Sequence, residues 1–223
     1  MRAILTAILL AMASPVLAQA TLTVTGDGSR TVAPDMAVVT LGVTERAARA
    51  SEAMNAASTT AEAIIQRLGA AGVAPADMQT TDLSLYPVRE NDLNGQAQFE
   101  GFEASNQLTV QVRDLESLGP VLQAVLDDGA NRLSSLRFTL QDPRPIMNEA
   151  RRAAVEDARA KAQLYADAAG VTLGAIQSIS EPQETNGGPQ PMMAMEASRG
   201  VPVEAGSTTI NARVTMVWEL VQP

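Results

Sequence analysis

Two runs of small residues constrain this chain more than any other feature. From Ala47, the positions Ala50, Met54, Ala57, Ala61, Ile64, Leu68 and Ala71 recur at spacings of three and four. Ala150, Ala154, Ala158, Ala162, Tyr165 and Ala169 do the same later on. That period belongs to a helix with one narrow apolar face. A face built from alanine lets the helix axis lie close to whatever it covers. The remaining patterns say what that is. Leu108, Val110 and Val112 alternate with Thr109, Gln111 and Arg113, and Ile210 to Leu220 alternates through Ala212, Val214, Met216 and Trp218. Such strands have one buried and one wet face, as in antiparallel sheets. The expectation is an α+β fold, a mainly antiparallel sheet packed by two long Ala-rich helices and one shorter helix.

Further strands are expected at Thr21–Thr25, Met36–Thr44, Thr80–Arg89, Phe102–Arg113, Leu133–Leu140 and Ala175–Ser180. A turn is expected at Gly26-Asp27-Gly28, and a hairpin at Asn94-Gly95 between two of the strands. The short helix carries Leu115, Leu118, Val121, Leu122, Val125 and Leu126, with Asp114 as its cap and Gly129 as its stop. Asp142-Pro143 opens the last helix, whose solvated face carries the four-residue pairs Arg152–Glu156 and Asp157–Lys161. Both long helices end in Ala-Ala-Gly-Val, at 70–73 and 168–171, which suggests an internal duplication of a helix-to-strand unit.

The first residues read as an export signal. Arg2 precedes the apolar stretch Ala3–Ala13, Ser14 and Pro15 break it, and Val16-Leu17-Ala18 or Ala18-Gln19-Ala20 supplies the small residues of a cleavage site. Residues 1–18 are therefore expected to be removed, leaving about 205 residues as a single domain from 19 to 223. A chain of that size buries roughly 70% of its unfolded surface. No later segment reaches the ~18 apolar residues of a membrane span. Export without any cysteine fits a bacterial periplasm. Residues 182–207, rich in Pro, Gly and Met, are too long for an ordinary connection and read as a flexible, partner-binding arm.

Composition then removes whole classes of chemistry. The chain has no histidine and no cysteine, so it carries no imidazole base, no thiolate nucleophile, no disulfide and no zinc site of the usual ligands. Its net charge of −9 speaks against nucleic acid. Gly26-Asp27-Gly28 begins like a dinucleotide fingerprint, but Thr31 stands where the third glycine belongs and no helix pattern follows. Asp92-Leu93-Asn94-Gly95 begins like a calcium loop, and the spacing to Glu103 does not complete it. The acids Asp127-Asp128 sit at a helix C-terminus, where the dipole disfavours them, with no evident function. Met192, Met193 and Met195 allow three readings: irregular packing, an oxidant sink, or a weak copper(I) site. No catalytic, cofactor-binding or metal residues are assigned, and the chain is read as a non-enzyme without cofactor.

Several stretches resemble the SIMPL-domain family of exported bacterial proteins, which includes periplasmic immunogenic and oxidative-stress-defence proteins. They are Val24-Thr25-Gly26-Asp27-Gly28, Pro34-Asp35-Met36-Ala37, Gly101 to Asn106, Asp114-Leu115 with Leu118-Gly119, and Gly129-Ala130-Asn131. Ala150-Arg151, Ala153-Ala154-Val155, Asp157-Ala158-Arg159, Lys161-Ala162, Ala169-Gly170-Val171 and Leu173-Gly174 follow, and Pro202 to Gly206 leads into the final strand. The resemblance implies a periplasmic or outer-envelope location, a homo-oligomer, and a role in oxidative or envelope stress tolerance. Exposed strands and the 182–207 arm would supply the contacts. The alternative is a monomeric periplasmic module that binds a partner protein or peptide, or binds copper weakly through its methionines.

Overall fold

A computed structural model describes residues 20–91, 97–182, 190–192 and 204–222. The elements in chain order are β1 (Thr21–Val32), β2 (Met36–Ala47), α1 (Ala50–Ala70), β3 (Met78–Asn91), β4 (Ala97–Val112), α2 (Leu118–Asp127), β5 (Arg132–Thr139), α3 (Arg144–Ala169), β6 (Thr172–Ser180), β7 (Gln190–Met192) and β8 (Ser207–Val221). Short 3₁₀ turns at Pro75–Asp77 and Leu115–Ser117 precede β3 and α2. The architecture is α+β with two antiparallel sheets, ordered β3-β4-β2-β5 and β1-β8-β6, with β7 paired to the start of β8. The chain divides into two compact units. One holds the described residues of 29–150 and 184–211, the other those of 1–28, 151–183 and 212–223.

In the larger unit the alternation of β2 and β4 becomes a register in which Val39 faces Val110 and Leu41 faces Leu108. All four side chains are buried, as are Ala53, Ala57, Ala61, Ile64 and Leu68 of α1 and Val121, Leu122 and Val125 of α2. Alanine on α1 brings the helix down onto the sheet, and α2 closes one flank. Asp114 caps the turn before α2 by accepting from the Glu116 N–H at 3.0 Å. The opposite face of this sheet is polar. Thr81, Thr109 and Thr40 form a row of hydroxyls spaced at 3.4 Å, and Thr44 bonds Ser105 at 2.8 Å.

In the smaller unit Met216 and Trp218 of β8 are buried, and so is the alanine face of α3. That face runs Ala150, Ala154, Ala158, Ala162 and Ala166. Tyr165, expected on it, is 53% exposed, because the stripe keeps a spacing of four to its end. The turn expected at Gly26-Asp27-Gly28 does not form either, and these residues lie inside β1. Gly26 is needed for another reason. A Cβ there would collide with the Ala154 carbonyl and sit 2.6 Å from the Ala158 nitrogen. Asp27 fixes the same crossing: its N–H donates to Asp157 at 2.9 Å and its carboxylate accepts from Arg213 at 2.7 Å. Lys161 closes the cluster on Asp157 at 2.6 Å. The other expected pair, Arg152 with Glu156, is not among the ion pairs of the described residues. Two exposed side chains gain too little to hold one geometry.

The three helices share one ending. Val73, Ala130 and Val171 each return an N–H to the carbonyl five residues back, across a glycine at φ +91, +100 and +70. This is the Schellman closure, which glycine adopts without steric cost. It accounts locally for the repeated Ala-Ala-Gly-Val. The turn expected at Asn94-Gly95, most of the expected 182–207 arm and the residues read as an export signal lie outside the described residues; the flanking strands pair Asn91 with Ala97.

Candidate functional site

Any catalytic chemistry in this chain would depend on its ionisable groups. Asp77, at 8% exposure, accepts from Arg113 Nε at 2.7 Å and Nη2 at 2.6 Å. The guanidinium holds its carboxyl below the ordinary carboxylate range. Asp128 meets Arg67 in the same bidentate way, with Nη2 to Oδ1 at 3.0 Å, and is lowered by the same cause. The acid at the C-terminus of α2 therefore serves to tie α2 to α1. This pair lies on the wall of a shallow cleft of about 300 Å³ that Ala63, Gln66 and Ala70 complete. Asp142 and Asp157 are lowered by hydrogen bonds from Arg144 and Lys161. Every described carboxylate that departs from its ordinary value does so downward. Each is an ionised partner for a cation, whereas a general acid needs the opposite shift.

Among the described residues no group of three or more acidic side chains is placed to hold a metal ion. Met192 contributes backbone to β7, and Met193 and Met195 lie outside the described residues, so the thioether cluster has no geometry here. The Gly26-Asp27-Gly28 segment is absorbed in the crossing of α3 over β1. Among the described residues no helix is long and apolar enough to cross a membrane.

The acid–base pair at Asp77 yields a pH prediction. A carboxyl lowered in the folded state adds stability that is complete above its unfolded pKa, about 3.9, and is lost as pH falls through the folded value. Asp77→Asn is expected to destabilise the protein by about 1–3 kcal/mol at neutral pH. The gap to wild type should close on acidification below about pH 4. Urea titrations at a series of pH values check this; a gap unchanged by acid would show the pair is energetically silent.

What remains is a surface, and it centres on β3. This strand is an end strand of its sheet. Leu83 and Leu85 lie in register with Asn106 and Ala104, on the side of the sheet that α1 covers. The cover stops short of them. Thr60 of α1 lies beside Gly129, and Arg67 beside Asp128, so that flank of the helix is turned to α2. On the other flank, Met54 is only partly buried and Ile65 is 38% exposed. Leu83 is 56% exposed and Leu85 37%. Tyr86, on the polar side of the sheet, is 64% exposed, and Phe99 packs edge-on against Phe102 with ring centroids 5.2 Å apart. The buried Asn106 Oδ1 has no hydrogen-bond partner. The sequence singled out none of Leu83, Leu85 and Tyr86, since Leu83-Ser84-Leu85 alternates as any half-buried strand does.

Comparison with known proteins bears on the whole chain. A family model, SIMPL, described as a protein of unknown function (DUF541), matches residues 22–218. The 26 kDa periplasmic immunogenic protein of Brucella melitensis is 34% identical over 213 residues, covering 90% of this chain and 85% of the relative. The protein of the same name in Brucella abortus matches over the same extent. The uncharacterized protein YggE of Escherichia coli K12 is 26% identical over 189 residues, 85% of this chain and 76% of its own. The match runs from β1 into β8, through both sheets and all three helices, and the chain belongs to the SIMPL family.

Proposed function

We propose that this chain is an exported, non-enzymatic envelope protein that self-associates in the periplasm and supports tolerance of oxidative or envelope stress. One observation carries the self-association: β3 ends its sheet with Leu83, Leu85 and Tyr86 exposed along it. Natural edge strands are normally short, charged or covered, because an open edge templates pairing. An exposed apolar edge of this length reads as a contact surface. The location is supported by the periplasmic name of the Brucella relatives and by the signal-like residues 1–18, after which the mature chain forms one SIMPL domain. The stress role is supported by the family resemblance.

Light scattering after size exclusion of the mature protein tests the assembly. A defined multiple of about 21–22 kDa, at roughly 110 Da per residue for the chain without its leader, is the expected result. A monomer at every concentration would sink it and favour a module that binds a partner peptide along the same edge. Survival of a deletion strain under peroxide and envelope stress checks the second half. Survival equal to the parent strain would remove the stress role.

A further inference from the structure

The hydrogen bonds of the larger sheet determine which backbone groups β3 leaves open. Asn131 donates its N–H to the Gly42 carbonyl at 3.1 Å, and its side chain bonds Thr44 N at 2.8 Å and Thr44 O at 2.9 Å. Gly42 and Thr44 therefore turn their backbone groups toward β5, and Val43 turns its own toward β4. Val43 lies opposite Asn106, so Asn106 is turned to β2 and Ser105 to β3. Ser105 lies opposite Ser84. Ser84 thus bonds inward, and its neighbours Leu83 and Leu85 point N–H and C=O at the open edge. Pro87 agrees independently: it lacks an N–H and shares the alternation of Leu83 and Leu85, so no ladder bond is lost.

From this we infer that a second copy of the chain docks here, β3 against β3, antiparallel about a two-fold axis at Ser84. The inference rests on the self-association reading and names its contact. The register follows by elimination. Centring the pair on Leu85 sets Leu83 opposite Pro87, which cannot donate, and leaves a leucine carbonyl orphaned on each copy. Centring on Leu83 runs the pairing into the irregularity between Thr80 and Asp82. Centring on Ser84 sets Leu83 opposite Leu85 of the second copy, and each such pair exchanges both of its N–H···O bonds.

The side chains fit the same register. On the α1 side the exposed leucines meet each other across the axis. On the polar side Asp82 falls opposite Tyr86 of the second copy, where the phenol can donate to the carboxylate. Within the copy, Ser84 donates to Asp82 at 3.3 Å, so the carboxylate is already oriented along this face. The edge as a whole is thus complementary to its own two-fold image, Leu83 matching Leu85 and Asp82 matching Tyr86. That self-complementarity, in a stretch bounded by irregularities at Thr80/Asp82 and Val88/Arg89, argues for a second copy over an unrelated strand. Pairing joins two four-stranded sheets into one continuous sheet.

The chain has no cysteine, so single thiols report the axis directly. In a non-hydrogen-bonded antiparallel pair the Cα atoms are about 4.5 Å apart, within the roughly 4.4–6.8 Å a disulfide spans. Ser84→Cys is expected to cross-link to itself under mild oxidation. Tyr86→Cys alone is expected not to, whereas an equal mixture of Asp82→Cys and Tyr86→Cys proteins should. Leu83→Lys with Leu85→Lys should weaken this association by at least about tenfold, a change of about 1.4 kcal/mol. The two leucines are exposed, so the fold should survive, as circular dichroism would show. An oligomer by light scattering in which Ser84→Cys fails to cross-link, or Tyr86→Cys cross-links to itself, overturns this contact and leaves self-association standing. A monomer at every concentration overturns both.

Discussion

Replacing Gly26 with alanine is expected to cost about 3 kcal/mol or more, at the upper end of what overpacking produces. It should lower the melting temperature by roughly 6–12 °C. The argument is steric. The new methyl would meet the Ala154 carbonyl and lie 2.6 Å from the Ala158 nitrogen and 2.7 Å from its Cβ. Two of these are main-chain atoms, so no rotamer change relieves them. Either α3 lifts from β1 or the strand bends. Lifting the helix would also pull Lys161 and Asp157 away from Asp27, breaking the ion cluster that marks the crossing. Gly69→Ala is the control. Nothing lies within 4 Å of a Cβ at Gly69, which sits in the last turn of α1, so alanine there should stabilise by about 0.5–1 kcal/mol. Differential scanning calorimetry of the two variants checks both signs. A Gly26→Ala protein melting within a degree of wild type would show that the helix is not seated on the strand as described.

Gly26 also shows where sequence reasoning reached its limit. Two glycines flanking an aspartate carry a turn signal, and local chemistry offers no reason to doubt it. The demand on Gly26 comes from a helix some 130 residues later, as the Asp27–Asp157 hydrogen bond records. Features with a local cause were legible. The alanine stripes gave the helices, alternation gave β4 and β8, and Asp114 gave a cap, though of the 3₁₀ turn that leads into α2 and not of α2 itself. Features with a distant cause were not. Asp128 at the wrong end of a helix dipole is explained only by Arg67 on a neighbouring helix. Asp77 showed no signal at all, because its partner Arg113 lies 36 positions away. The shared Ala-Ala-Gly-Val was legible as a repeat, yet its physical cause is a helix ending that α2 makes as well with a different sequence.

The candidate surface was hidden for a related reason. Leu83 and Leu108 are the same residue type in the same alternation on neighbouring strands, and their fates differ only because α1 covers one of them. Leu108 is 2% exposed and faces Leu41 beneath the helix, whereas Leu83 is 56% exposed. Leu108→Ala is accordingly expected to cost about 2–5 kcal/mol, the loss of a fully buried side chain plus the cavity it leaves. Leu83→Ala should change the stability of the isolated chain by less than about 0.5 kcal/mol, as exposed sites usually do. Urea unfolding followed by circular dichroism at low protein concentration gives both values. Raising the concentration separates the roles further. Association through β3 stabilises the folded state by mass action, so wild-type and Leu108→Ala midpoints should both rise with concentration, and the Leu83→Ala midpoint should rise less. Equal concentration dependence in all three proteins would place the contact elsewhere. A strongly destabilised Leu83→Ala monomer would mean that this leucine belongs to the core after all.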